Sequence, residues 1–167
     1  MTDERIYSRG DQIVHSQYGV GKIVDITEKK LGKKTILYYV VETINSTYWL
    51  PVAKADNDRV RLIVSPKIIE EAIETLQQKP RQMDDQHEIR KERITEVSTS
   101  GELIQTAELV RDLAYRKATT NLNSSEQKAY DNLLTRLVME WAASMKTTAD
   151  FALQSVNQLL QEHYPSI

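Results

Sequence analysis

The spacing of apolar positions changes near residue 65. Before it, they fall in short β-branched and aromatic runs separated by glycines and polar turns; after it, they recur every three or four residues. The first pattern predicts strands and the second helices. Asp11–Ser16 and Val20–Lys29 flank a turn carrying Gly19 and Gly21, and the tip Lys29–Lys34 reverses the chain, with Gly32 free to take positive φ. Thr35–Thr43 (TILYYVVET) has the density expected of a buried strand. Ser46–Leu50 is a fourth strand ended by Pro51, which cannot donate to a ladder, and Val60–Val64 closes the set. Five short strands with turns between them read as a small SH3- or Tudor-like β-barrel over residues 1–64.

Ser65-Pro66 marks the switch, serine as N-cap and proline in the first helical turn. Ile68, Ile69, Ala72, Ile73 and Leu76 then keep helical spacing up to Pro80. The polar segment Arg81–Gln86 leads to a weaker helix ending near Thr99-Ser100-Gly101, and a third runs from about Glu102 to Ala118 on Leu103, Ala107, Val110 and Ala114. Asn123 and Glu126 have the spacing of a capping box. They open a fourth helix striped with Tyr130, Leu134, Leu137, Trp141 and Met145, which makes Trp141 a core residue. A last helix takes in Ala149, Ala152, Val156, Leu159 and Leu160 and frays at His163-Tyr164-Pro165. The expected fold class is α+β: the barrel, then an all-α bundle of about five helices over residues 65–167.

Composition narrows what such a chain can do. Its 167 residues are 40% hydrophobic, enough for an ordered core in one or two domains. No apolar run approaches the roughly 20 residues of a membrane span. The N-terminal MTDERIYSRGD is polar without a signal-peptide core, and there are no cysteines; together these read as a cytoplasmic protein without disulfides or thiolate metal sites. The net charge of −2 gives no global field for nucleic acid. Residues 1–65 carry 10 basic and 8 acidic side chains, and residues 66–167 carry 12 and 16, so any DNA contact of the second half needs a local basic patch.

Catalysis has little support. His15, His87 and His163 are far apart in sequence, HEIRKE lacks the second histidine of a zinc-protease helix, and Gly19-x-Gly21 lacks the rest of a dinucleotide loop. No enzyme, cofactor, metal or small-molecule substrate is expected.

Gly10-Asp11, Ile13-Val14, Gly19-Val20-Gly21, the Tyr38–Val41 strand and Leu50-Pro51, in this order, resemble the RNA-polymerase-interacting domain of CarD/CdnL-type bacterial transcription regulators. The transcription-repair coupling factor carries the same module. Ser100-Gly101-Glu102, Val110-Arg111-Asp112-Leu113 with Arg116, and Leu122-Asn123-x-x-Glu126-x-Lys128 are similar to landmarks of the family's helical domain. The resemblance therefore spans nearly the whole chain and points to a stand-alone regulator. It implies a barrel that docks on the β subunit of bacterial RNA polymerase. It also implies a helical domain at the upstream fork of the promoter bubble, where a tryptophan wedged in the minor groove favours the open complex. Counting back from Ser100-Gly101-Glu102, the wedge position falls on His87, a smaller and more polar ring.

The resemblance places the polymerase contact on the lysine-rich hairpin and adjoining strand, which singles out Lys29, Lys30 and Leu31. The alternative is a solvated hairpin tip. Alternation in Tyr48-Trp49-Leu50 turns Trp49 outward if Leu50 turns in, making Trp49 an interface anchor; burial under the helical domain is the other reading. His87, Arg90, Lys91 and Arg93 are the candidates for promoter DNA, with Asp84, Asp85, Glu88 and Glu92 among them. A purely structural reading competes: Met83, His87, Arg90, Ile94 and Val97 lie on one helical face and read as a packing surface. Three functions follow. The first is a polymerase-binding factor that modulates, and stabilises, the open complex; the second is a polymerase-binding adaptor or competitor without a DNA wedge. The third is a Tudor/SH3-like peptide-binding module built on Tyr38, Tyr39, Tyr48 and Trp49, unrelated to transcription.

Overall fold

Gly21 stands where no other residue fits. A Cβ there would lie 2.6 Å from Val41 Cγ1, because the neighbouring strand crosses it closely. In the computed structural model, which describes residues 5–164, the first half forms one antiparallel sheet. Its strands are β1 (Gln12–His15), β2 (Gly19–Leu31), β3 (Lys34–Glu42), β4 (Thr47–Pro51) and β5 (Val60–Leu62). The spatial order is β4-β3-β2-β1-β5. β2 is long enough to serve two partners: Gly19–Lys22 pairs with β1 and Lys22–Leu31 with β3, with a bulge between Ile23 and Asp25. A bulge on a shared strand bends it, so the sheet coils around Ile13, Ile23, Tyr39, Val41, Leu50 and Val60 without closing between β4 and β5. The link between those edges, a 3-10 turn Val52–Lys54, adds Val52 and Ala55 to the core. The sheet is an open, barrel-like one of the Tudor type.

The β2–β3 ladder runs to Leu31↔Lys34, so the tip is only Gly32-Lys33. Gly32 has φ +63, positive φ at the first central position, as in a type II′ turn whose twist matches the strands. Lys29, Lys30 and Leu31, expected at a turn, are therefore strand residues.

The chain divides into two compact units between Ile63 and Val64. The second has five helices: α1 (Pro66–Gln77), α2 (His87–Ser100), α3 (Leu103–Thr119), α4 (Ser124–Met145) and α5 (Ala149–Gln161). Pro66 is at the start of α1 as expected, but the Ser65 hydroxyl caps nothing; the Ser65 carbonyl accepts the first backbone bonds. The capping box of α4 forms in full. Asn123 Oδ1 accepts from Glu126 N–H at 2.8 Å, and Glu126 Oε2 accepts from Asn123 N–H at 3.2 Å. Thr148 caps α5 through Phe151 N–H.

α3 is the axis of this unit and packs against each of the other four helices. Leu109, Val110 and Leu113 are fully buried along it, Trp141 and Leu137 of α4 and Val156 and Leu160 of α5 close over them, and Trp141 is core as its stripe predicts. The stripe runs out at Met145, which is exposed. Two buried α4 side chains anchor the entry to α1: Val64 N–H donates to Glu140 Oε1 at 3.0 Å, and Ser144 Oγ donates to the Val64 carbonyl at 2.7 Å. At the far end, His163 Nε2 donates to the Leu76 carbonyl at 2.8 Å. Pro165, part of the expected fraying, and the first four residues of the polar N-terminus lie outside the described residues.

Candidate functional site

Two surfaces carry the residues singled out by sequence. On the sheet, register decides which of them meet. Lys29 lies opposite Ile36, and Val40 opposite Trp49. Side chains alternate along a strand, so Lys29, Leu31, Tyr38 and Trp49 share the outer face while Lys30 points to the other side. Three of the four candidates are thus on one face, and Lys30 is not with them. Leu50 is buried and Trp49 is 40% exposed, as alternation requires. Lys29 Nζ sits 3.1 Å from the centre of the Trp49 ring, a cation–π contact, and Tyr38 packs at 5.8 Å on the same indole. Leu31, 57% exposed, extends the face toward the hairpin tip. The result is an aromatic platform with a lysine over it. Tyr38 belongs to it through register, which the linear sequence does not display.

The four aromatic residues considered for a peptide groove do not share one. Tyr39 is fully buried, its hydroxyl accepting from Tyr7 N–H at 3.0 Å. Tyr48 lies on the opposite side from Trp49 and stacks on Tyr18 at 4.4 Å, with His15 at 5.6 Å. His15 Nδ1 accepts from Gln17 N–H, and burial, then the charge of Arg59, hold the imidazole below its ordinary pKa. Burial also pushes the Tyr48 phenol up to about 12, and its buried hydroxyl has no hydrogen-bond partner.

The second surface surrounds the start of α2. Here Arg90, one of the candidates for promoter DNA, does not face outward. It is buried, its Nε donating to Glu126 Oε1 at 2.6 Å and its Nη1 to the Asp84 and Asp85 carbonyls at 3.0 and 2.8 Å. The reason is the α4 cap, since Glu126 is itself buried and its charge needs a partner. Burial works to raise the Glu126 pKa, but the Arg90 hydrogen bond, the Asn123 N–H and the charges of Arg90 and Arg116 outweigh it and hold the carboxyl low. Arg93 is drawn inward as well: its Nη2 donates to Asp112 at 2.7 Å. Asp112, fully buried, also accepts from Arg111 Nε and from Arg81 N–H, each at 2.9 Å. The packing-face reading is the one these contacts favour, with Arg90 and Val97 buried and Ile94 half-buried along one side of α2, and Met83, in the segment before the helix, buried as well.

His87 and Lys91 stay outside. The His87 ring is half-exposed; its Nδ1 accepts from Asn123 Nδ2 at 3.2 Å and lies 3.8 Å from Glu126 Oε1. Lys91 is exposed beside a shallow groove of about 470 Å³ that Glu88, Glu92 and Glu96 also line. Among the described residues no cluster of His, Cys, Asp or Glu could hold a metal ion, and no helix is long and apolar enough to cross a membrane.

Comparison with known proteins matches both units. The family model described as "CarD, C-terminal domain" matches residues 71–157, and "CarD-like/TRCF RID domain" matches residues 7–64. The chain belongs to the CarD family. It is also similar to the putative transcription factor YdeB of Bacillus subtilis (strain 168), with 28% identity over 137 residues covering 81% of this chain and 90% of that protein. A member of a transcription-factor family fits a regulator of transcription. The CarD landmarks have structural roles here: Arg111-Asp112 forms the buried ion network, and Asn123 with Glu126 forms the cap.

Proposed function

We propose that this CarD-family protein binds the β subunit of bacterial RNA polymerase through the outer face of its sheet and modulates promoter opening in the cytoplasm. The observation that carries the reading is the Lys29–Tyr38–Trp49 platform. A large aromatic group that is partly exposed on a rigid strand, beside a basic side chain, has the character of an interface hot spot. It lies in the unit that matches the CarD-like/TRCF RID model. Lys29 and Trp49 make the contact, Leu31 widens it, and Lys30 borders it. The test is binding of the full chain to an isolated polymerase β lobe. Trp49→Ala combined with Lys29→Glu should weaken binding at least tenfold; unchanged retention sinks the surface.

A second reading keeps polymerase binding and drops the DNA wedge. Specific contacts favour it: Arg90 and Arg93 are committed to buried carboxylates, and His87 is held by Asn123. Phosphate binding depends on available positive charge, and the free groups here are Lys91 and a half-exposed imidazole among carboxylates. Open-complex lifetime separates the two. Under the first reading the protein lengthens it and His87→Trp lengthens it further. Under the adaptor reading neither changes it.

A further inference from the structure

Lys29 and Trp49 meet across a strand that belongs to neither. β3 separates β2 from β4, so with neighbouring strands about 4.8 Å apart their backbones stand roughly 10 Å from each other. They are also out of step, since Lys29 lies opposite Ile36 and Trp49 opposite Val40. For Nζ to sit 3.1 Å from the centre of the indole, both side chains must lean over β3 toward one another. The outward-facing β3 residue between Ile36 and Val40 is Tyr38. It is a diagonal neighbour of Lys29 on one side and of Trp49 on the other, the spacing at which aromatic and long side chains touch. Its ring lies 5.8 Å from the indole, tilted by 55°. Tyr38 is half-buried, with Thr27 opposite it on β2 and Pro51 on β4.

A large ring on an edge strand has solvent on its open flank and several rotamers to sample. β4 is such an edge, and Trp49 is 40% exposed. What restrains the indole comes from the β3 side: the Tyr38 ring beside it and the Lys29 ammonium over its face. The ammonium is a loose tether, a strongly hydrated charge at the end of a flexible four-carbon stem. Tyr38 has only two torsions, and its ring is half-buried between its strand neighbours. A partner that had to order a free tryptophan would lose about two- to tenfold in affinity to that ordering; a ring already set avoids the loss. We propose that Tyr38 is a positioning residue: its ring sets the Trp49 indole across β3, where Lys29 meets it, in the orientation a partner engages. That the partner is the polymerase β subunit rests on the proposed function; the ordering of the indole does not.

The full chain carries two tryptophans, so when labelled with ¹⁵N it gives two indole N–H signals, and Trp49→Phe identifies the one from Trp49. In the free parent that indole should be as ordered as rigid backbone, with an order parameter of about 0.85. Tyr38→Val keeps an apolar residue suited to a strand but removes the ring. It should bring the Trp49 order parameter below about 0.6 and leave the signal of the buried Trp141 in place. It should also weaken β-lobe binding about fivefold, within the range that ordering one side chain spans. Tyr38→Phe, which keeps the ring, should hold both at the parent's values. In a Trp49→Ala background, Tyr38→Val should cost no further affinity, because a residue that acts through the indole has nothing left to position. A mobile Trp49 indole in the free parent, unchanged order in Tyr38→Val, or losses that add in the double variant overturns the proposal. The first of these needs no variant that could misfold. A parent that does not bind the β lobe removes the polymerase reading, while the order of the free indole still decides the role of Tyr38.

Discussion

The outer face of the sheet and the start of α2 carry the same kinds of side chain, cations near rings, yet they use them in opposite ways. On the sheet, Lys29 lies on the exposed indole of Trp49, and both remain available. At α2, Arg90 and Arg93 turn inward to Glu126 and Asp112, which α4 and α3 bury. A strand pair holds its backbone by the ladder and leaves outward side chains unconstrained. A helix packed in a bundle must satisfy whatever charge its neighbours bury. A basic residue is therefore free for a partner only where no buried carboxylate lies within its reach.

That contrast can be broken experimentally. The largest effect is expected at Arg90→Ala, which leaves Glu126 buried and uncompensated. It should lower stability by about 3–5 kcal/mol in urea unfolding, whereas a DNA-facing arginine would change stability by no more than about 0.5 kcal/mol. Trp49→Ala should do the reverse, costing about 2 kcal/mol of β-lobe affinity, the hot-spot scale, with an unfolding midpoint close to the parent's. Equal losses of folding and binding would make Trp49 a packing residue.

Glu126 sharpens the comparison through pH. Its folded-state pKa is below the ordinary 4.5, so the folded carboxyl releases its proton more readily than the unfolded one. Its contribution is fully present above that ordinary value and disappears as pH falls through the lower folded value. Stability of the parent should therefore drop on acidification below about pH 4.5, as the linkage requires, and Glu126→Gln should be less stable at pH 7 with a flatter acid limb. An unchanged acid limb would remove the buried pair from the account. The smallest effect is Tyr48→Phe. Removing a buried, unpartnered hydroxyl should leave stability unchanged or raise it by up to about 1 kcal/mol. A loss would mean that the phenol bonds to water.

Much of this was legible in the chain. The change of apolar period at Ser65, the Asn123/Glu126 cap, the Trp141 stripe and the outward turn of Trp49 depend on neighbours within a few residues, where backbone geometry fixes which side chains align. Both readings of α2 were open from the chain, since His87, Arg90, Ile94 and Val97 fall at the spacing of one helical face. Choosing between them needed Glu126, 36 residues from Arg90. Tyr38 joining Trp49 needed the β3–β4 register, and Lys30 parting from Lys29 needed the ladder to continue past the expected turn. Local periodicity determined the elements and the CarD landmarks of this protein. Tertiary structure decided which charges are spent, because burying a carboxylate without a cation costs more than leaving that cation exposed gains.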